Sequence, residues 1–195
     1  SIVYNTKLTP RNKQDMKKIL SLLTILFFIH NYTFSQDRYL IDSLVTQLNN
    51  HNKSKAESKI NSPSLYDTTA ANILNDLSAA YWNSNPDSAT YYSNQCLTLS
   101  EQIGYKKGIG KAYNSMGVIH FNKSDYLSAL DFYKKSMEYG EESGDTKTIA
   151  RNLNNMGVVY QYMGNYTEAL KNYFTALKIF EEKKKKKGIG SAYTN

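Results

Sequence analysis

Cysteine, histidine and proline are scarce in this chain, which has one, three and three of them among its 195 residues. The lone Cys96 excludes an intramolecular disulfide, and we expect it to be a small buried hydrophobic residue rather than a nucleophile. His30, His51 and His120 have no companion at metal-ligand spacing, and the motifs of hydrolases, zinc proteases, dithiol oxidoreductases and kinases are absent. We therefore predict no catalytic residue, no metal site and no cofactor in this segment, which is not expected to be an enzyme.

A dispersed basic surface is also missing, although the net charge is +7. Residues 1–35 hold five basic residues and one acidic residue, which leaves +3 for residues 36–195. Much of that remainder lies in the run Lys183–Lys187. Because a protein that follows a phosphate backbone needs basic residues spread along one face, we predict no nucleic-acid binding in this segment.

No hydrophobic run is long enough to span a bilayer. The apolar stretch Ile19–Ile29 has 11 residues, whereas a membrane-spanning helix needs about 20. It follows Met16 and two lysines and precedes Thr33-Phe34-Ser35, which places small residues where a signal peptidase cuts. These features predict an upstream extension at 1–15 and a secretory signal peptide at 16–35; an uncleaved anchor and a buried helix are the alternatives.

What the chain does contain is an internal repeat with an offset of forty residues. Met116-Gly117-Val118 returns as Met156-Gly157-Val158, and Ala129-Leu130 returns as Ala169-Leu170. The pentapeptide KKGIG occurs twice, eighty residues apart, with TKTIA between the two copies. Its spacing does not fit a phosphate-binding P-loop, so we interpret it as the start of a repeat. The predicted array covers 68–195, as copies 68–105, 106–145 and 146–185 and a truncated fourth copy at 186–195.

Each copy has the pattern of two helices. In the third copy, apolar residues recur at three- and four-residue spacing first from Ile149 to Tyr160 and again from Tyr166 to Phe180, with a Gly-Asn turn between them. We interpret Lys183–Lys187 as a helix end and a turn between repeats, favoured over a ligand site. Residues 36–67 are predicted to be an amphipathic capping helix and a linker, and a membrane-lying or partner-binding helix is the alternative.

These residues resemble the tetratricopeptide repeat. The family's pattern is matched by Tyr113-x2-Met116-Gly117-x2-His120 with Ala129-x3-Tyr133, and by Leu153-x2-Met156-Gly157-x2-Tyr160 with Ala169-x3-Tyr173. The resemblance implies an all-α fold, a right-handed α-solenoid of helix-turn-helix repeats. The forty-residue offset, against about thirty-four in the common form, implies longer helices.

The resemblance also implies a function. The first helices of such an array line a concave groove that binds a peptide or a partner helix, so we predict a protein or peptide partner. Arg151 and Lys111 can pair with a carboxylate there, although Val118 stands where a two-carboxylate clamp would need a polar residue. The alternative is that Asn154 and Asn155 are merely exposed polar residues. Carried over position by position, the groove candidates are Lys111, Asn114, Ser115, Val118, Phe121 and Asn122 in the second copy and Arg151, Asn154, Asn155, Val158, Gln161 and Tyr162 in the third.

A signal peptide followed by such repeats is similar to the front end of bacterial sensory proteins. This similarity implies an exported, periplasmic sensory input of a larger signalling protein, with membrane attachment only through a downstream segment. Two alternatives remain open. One is a free periplasmic adaptor, and the other is the non-catalytic front end of a histidine kinase or nucleotide cyclase.

Overall fold

The structure is a computed structural model that describes residues 37–54 and 65–192, together with Lys18 and Ser21. For 65–66 and 183–192 it describes the backbone alone. Apart from Lys18 and Ser21, the predicted upstream extension and signal peptide lie outside the described residues. The chain divides into two compact units, Ser1–Asp42 and Ser43–Asn195, and the helical repeats lie in the second.

The described chain is helical throughout, with short turns between helices. The first helix, α1, covers 37–54, within the stretch 36–67 that was predicted to be a capping helix and a linker. Its residue Leu44 is buried with Ile73 and Leu77 of the next helix, which is the apolar contact expected of an amphipathic end helix. The remaining helices are α2 (Leu65–Tyr81), α3 (Pro86–Gln102), α4 (Lys106–Asn122), α5 (Tyr126–Glu142), α6 (Thr146–Tyr162) and α7 (Tyr166–Ala192).

The helices pack as antiparallel pairs in two layers. The pairs are α2 with α3, α4 with α5, and α6 with α7, and each pair contacts the next along the chain. In addition, α4 contacts both α2 and α6, whereas in the described residues no such contact joins α3, α5 and α7 to one another. The layer of α2, α4 and α6 is therefore the more closely spaced one and lies on the inside of the curve, as predicted for a helical solenoid.

One turn geometry is used repeatedly to end the helices. A residue with positive φ follows the helix at Gly104, Ser124, Gly144 and Gly164, and the amide one residue later donates back across the last turn, as from Asp125 N to His120 O at 2.9 Å. This pair of features satisfies carbonyls that the helix end would otherwise leave free. The next helix then begins on an Asx cap at Asn85, Asp125 and Asn165.

The turn predicted within Lys183–Lys187 is absent, and this expectation was wrong. Helix α7 instead continues through these residues and through the second KKGIG to Ala192. The reason lies at Lys184, which stands forty residues after Gly144 and eighty after Gly104. A lysine in the left-handed conformation costs about 1–2 kcal/mol, and lysine is a good helix former. Without glycine at this place, the helix does not end.

Two glycines on the inner helices allow a tyrosine ring to pack against the helix backbone. A Cβ atom at Gly117 would lie 2.5 Å from Cε1 of Tyr133, and one at Gly157 would lie 2.5 Å from Cε1 of Tyr173. The neighbour of each glycine is thus an aromatic ring, not a second helix backbone. Tyr133 is thereby buried, at 2% exposure, in a core formed with Ala129, Leu130, Met156 and Val159.

Candidate functional site

A cavity of about 300 Å³ lies on the inner layer of the array, and we call it the central cavity. Its first wall consists of Trp82, just after α2, and of Asn114, Val118, Phe121 and Asn122 of α4. Its second wall consists of Tyr133 of α5 and of Arg151, Asn155 and Val158 of α6. Seven of the predicted groove residues therefore meet at one place: Asn114, Val118, Phe121, Asn122, Arg151, Asn155 and Val158.

A buried chain of hydrogen bonds holds the two walls together. Nδ2 of Asn114 donates to Oδ1 of Asn152 at 2.5 Å, and Nδ2 of Asn152 donates to Oγ of Ser136 at 2.6 Å. Ser136 Oγ in turn donates to the carbonyl oxygen of Gly110 at 2.5 Å. Because Asn114, Asn152 and Ser136 are at most 3% exposed, the bonds lie out of water and link α4, α5 and α6 directly.

Nitrogen donors at the central cavity lack partners. Nε of Arg151 and Nε1 of Trp82 are both buried without a hydrogen bond, and within the described residues Arg151 makes no ion pair. Burial lowers the pKa of Arg151, and the charge of Asp145 opposes this shift, but a guanidinium stays charged in a protein. The cavity thus contains one positive charge and, among its lining residues, no carboxylate.

A hydroxyl donor at the central cavity lacks a partner as well. In the third copy, Oη of Tyr173 donates to Oε1 of Gln161 at 3.0 Å. Tyr133 is the equivalent of Tyr173 in the second copy. The equivalent of Gln161, forty residues earlier, is Phe121. A phenyl ring cannot accept that bond, and the structure gives Oη of Tyr133 no other partner among the described residues. Burial raises the pKa of Tyr133, which keeps this hydroxyl protonated as a donor.

The other predicted groove residues lie elsewhere. Lys111 donates from Nζ to Oδ1 of Asn72 at 2.6 Å, between α2 and α4. Asn154 is exposed and does not line the cavity. Gln161 accepts a hydrogen bond from Tyr173. Tyr162 is 65% exposed and lies beyond the cavity, where its ring is edge-on to that of Phe121 with 5.2 Å between the ring centroids. Asn114 is mostly buried, so it supports the wall more than it offers a free amide.

Trp82 and Tyr133 were not predicted as cavity residues. The turn after α2 differs in length from the later turns, so the forty-residue offset fails there. An offset of thirty-nine aligns Leu77-Ser78 with Met116-Gly117 and then places Trp82 at the position of Phe121. Tyr133 belongs to the outer layer, and it lines the cavity because Gly117 leaves room for its ring.

No group of three or more metal-ligating side chains comes together among the described residues. Across the same residues, none of the helices combines the length and hydropathy needed to cross a membrane.

Comparisons with known proteins support the helical-repeat fold. Residues 108–192 match the family model described as the tetratricopeptide repeat. No curated protein sequence matches the chain. The TPR domain of Arabidopsis FLU aligns with a TM-score of 0.53 and 15% identity, over 60% of this chain and 98% of that domain. BtubC (BKLC) from P. vanneervenii aligns with a TM-score of 0.59 and 13% identity, over 75% of this chain and 57% of that one.

At such identities the likeness of structure concerns the fold alone. That fold generally serves as a scaffold for protein–protein interaction, since stacked repeats form an extended concave surface. The described chain is therefore an all-α helical-repeat solenoid, and its segment 108–192 matches the family model of the tetratricopeptide repeat.

Proposed function

We propose that this chain binds an extended peptide segment of a partner protein on the inner layer of its helices, at the central cavity. The observation that carries the proposal is the meeting of apolar and unpaired polar groups in one concavity. Val118, Phe121 and Val158 supply apolar surface, and Arg151 supplies a charge without a partner. This combination of an apolar wall with a few orienting polar groups is typical of ligand sites.

An extended peptide suits the cavity better than a helix does. A volume of about 300 Å³ is at the small end of ligand pockets, so it accommodates a single side chain, not the broad face of a helix. The amide of Asn155 lies at its wall and can both donate to and accept from a peptide backbone. The peptide residues on either side of that side chain then run over the surface of α4 and α6.

Selection from a random peptide library displayed on phage tests this function. Val158→Arg fills the central cavity with a charged side chain, and Leu127→Arg is its matched control, because Leu127 is 73% exposed on the outer helix α5. We expect selected peptides to lose affinity for the Val158 variant by about tenfold or more and to bind the Leu127 variant like the unmodified protein. Failure to select any peptide, or equal binding to both variants, would contradict the proposal.

We also propose that the scaffold is the exported sensory input of a larger bacterial signalling protein. The support is the pattern of the amino-terminal sequence, with Lys17 and Lys18 ahead of a short apolar stretch and small residues at Thr33 and Ser35. Fusion of residues 16–40 to a reporter enzyme that is active only outside the cytoplasm tests the export, and an inactive reporter would refute it. The gene sequence beyond Asn195 separates a sensor from a free periplasmic adaptor and from the front end of a kinase or cyclase.

A further inference from the structure

We infer that the central cavity binds the side-chain carboxylate of one glutamate in the partner segment, with Arg151 as its counter-ion and Tyr133 and Trp82 as further donors. This inference rests on the proposed function and adds the chemistry of the ligand. It is carried by three donors with unmet hydrogen-bonding capacity that border one concavity.

The imbalance between donors and acceptors is the first argument. Nε of Arg151 and Nε1 of Trp82 are buried and unpaired, and Tyr133 is 2% exposed with no hydrogen bond to its hydroxyl among the described residues. A buried polar group without a partner costs about 1–3 kcal/mol. A ligand that brings acceptor oxygens removes that cost for each donor that a side-chain shift brings to the cavity surface, whereas an apolar or cationic ligand does not.

The charge around the cavity is the second argument. Asp145 is the carboxylate whose charge acts on Arg151, but Asp145 is engaged by Thr148 at 3.0 Å and by Lys107 at 3.5 Å. Lys111 of α4 also interacts electrostatically with Arg151, but the carboxylate of Asp76 acts on Lys111 more strongly than Arg151 does, so Arg151 is the principal positive charge at the cavity. An anionic ligand is favoured over a neutral one for this reason.

The apolar walls are the third argument and distinguish glutamate from a small inorganic anion. The Val118, Phe121 and Val158 side chains line the same cavity as the donors. The two methylene groups of a glutamate side chain match these walls while its carboxylate reaches the donors. An inorganic anion leaves the apolar surface uncovered.

Trp82 provides the measurement, because it is the only tryptophan of the chain and it borders the cavity. The probes are pentapeptides, acetylated and amidated at their ends, with one central glutamate or one central glutamine between alanines. A third probe has the glutamine sequence with a free terminal carboxylate. We expect the glutamate probe to change Trp82 fluorescence and to bind about tenfold or more tightly than the glutamine probe.

Two substitutions locate the carboxylate. Tyr133→Phe removes only the unpaired hydroxyl, and Tyr173→Phe is its matched control, because that hydroxyl already bonds Gln161. Arg151→Met removes the charge, with Lys134→Met on the exposed surface of α5 as control. We expect the Tyr133 variant to lose glutamate affinity by about three- to tenfold, the Arg151 variant to lose the preference for glutamate, and both controls to retain it. Circular dichroism melts verify that each variant is folded.

The outcomes separate this inference from the proposed function. Equal binding of the glutamate and glutamine probes, or tighter binding of the probe with a free terminus, overturns the inference. Unchanged glutamate affinity in both the Tyr133 and Arg151 variants does the same. If library-selected peptides still depend on Val158 in those cases, the groove function stands and only the ligand chemistry is wrong.

Discussion

Replacement of Gly117 by alanine tests how tightly the two layers pack. The added Cβ would lie 2.5, 2.6 and 3.0 Å from three atoms of the Tyr133 ring, so the ring must move. That ring is enclosed by Ala129, Leu130, Met156 and Val159, and displacement in a closed core costs about 1–3 kcal/mol. Alanine recovers about 1 kcal/mol of helix propensity. We expect a net loss of about 1 kcal/mol in the free energy of unfolding, the middle of the resulting range.

Gly157 is the matched control for this prediction. Its Cβ would also lie 2.5 Å from Cε1 of a tyrosine, Tyr173, but that residue is only half-buried and belongs to α7. The ring can shift at the cost of its bond to Gln161, which contributes about 1 kcal/mol, so Gly157→Ala should be nearly neutral. Urea unfolding followed by circular dichroism should place the Gly117 variant about 0.5–1 M lower. A Gly117 variant as stable as the unmodified protein would refute the packing account.

Three more predictions concern buried groups. Asn152→Ala leaves Asn114 without its acceptor and should lower stability by about 2–3 kcal/mol. The control Asn154→Ala, on the exposed surface, should change stability by less than about 0.5 kcal/mol. Similar urea midpoints for the two variants would contradict the role of the network. Cys96 is fully buried, and burial raises its pKa to about 11, so thiol reagents at pH 8 should react only after unfolding. This raised pKa also predicts that stability falls from the ordinary thiol value near pH 9 towards pH 11; immediate labelling of the native protein would be the contrary result.

The sequence predicted the helical pairs well, because both of its signals are local. Apolar spacing defines the buried face of each helix, and the turn residues at Ser124, Gly144 and Gly164 define where helices end. The rule that a turn residue ends each helix predicts that α7 continues, since Lys184 stands where Gly104 and Gly144 end the earlier helices. The prediction of a turn there rested on the repeated KKGIG and did not use Lys184, which lies two residues before the second copy.

The site was predicted only in part, because side-chain partners are not a local property. Arg151, Asn155 and Val158 line one cavity, as positions on a single helix face are determined by spacing. Lys111 bonds Asn72, and Gln161 bonds Tyr173. Both bonds depend on neighbouring helices, so spacing alone could not distinguish Lys111 and Gln161 from free groove residues. Tyr133 depends on a space left by Gly117 on another helix, which no spacing rule describes.

The buried hydrogen bonds between Asn114, Asn152 and Ser136 have a consequence for recognition. A slip of α6 against α4 by one turn, about 5.4 Å, would separate Asn152 from its partners and leave several amide groups unsatisfied away from water. The network therefore permits a single register of the helices. Arg151 and Asn155 lie on the same helix as Asn152, so their positions are fixed before any partner arrives. The entropic cost of association then falls mainly on the partner segment, which favours affinity from few contacts.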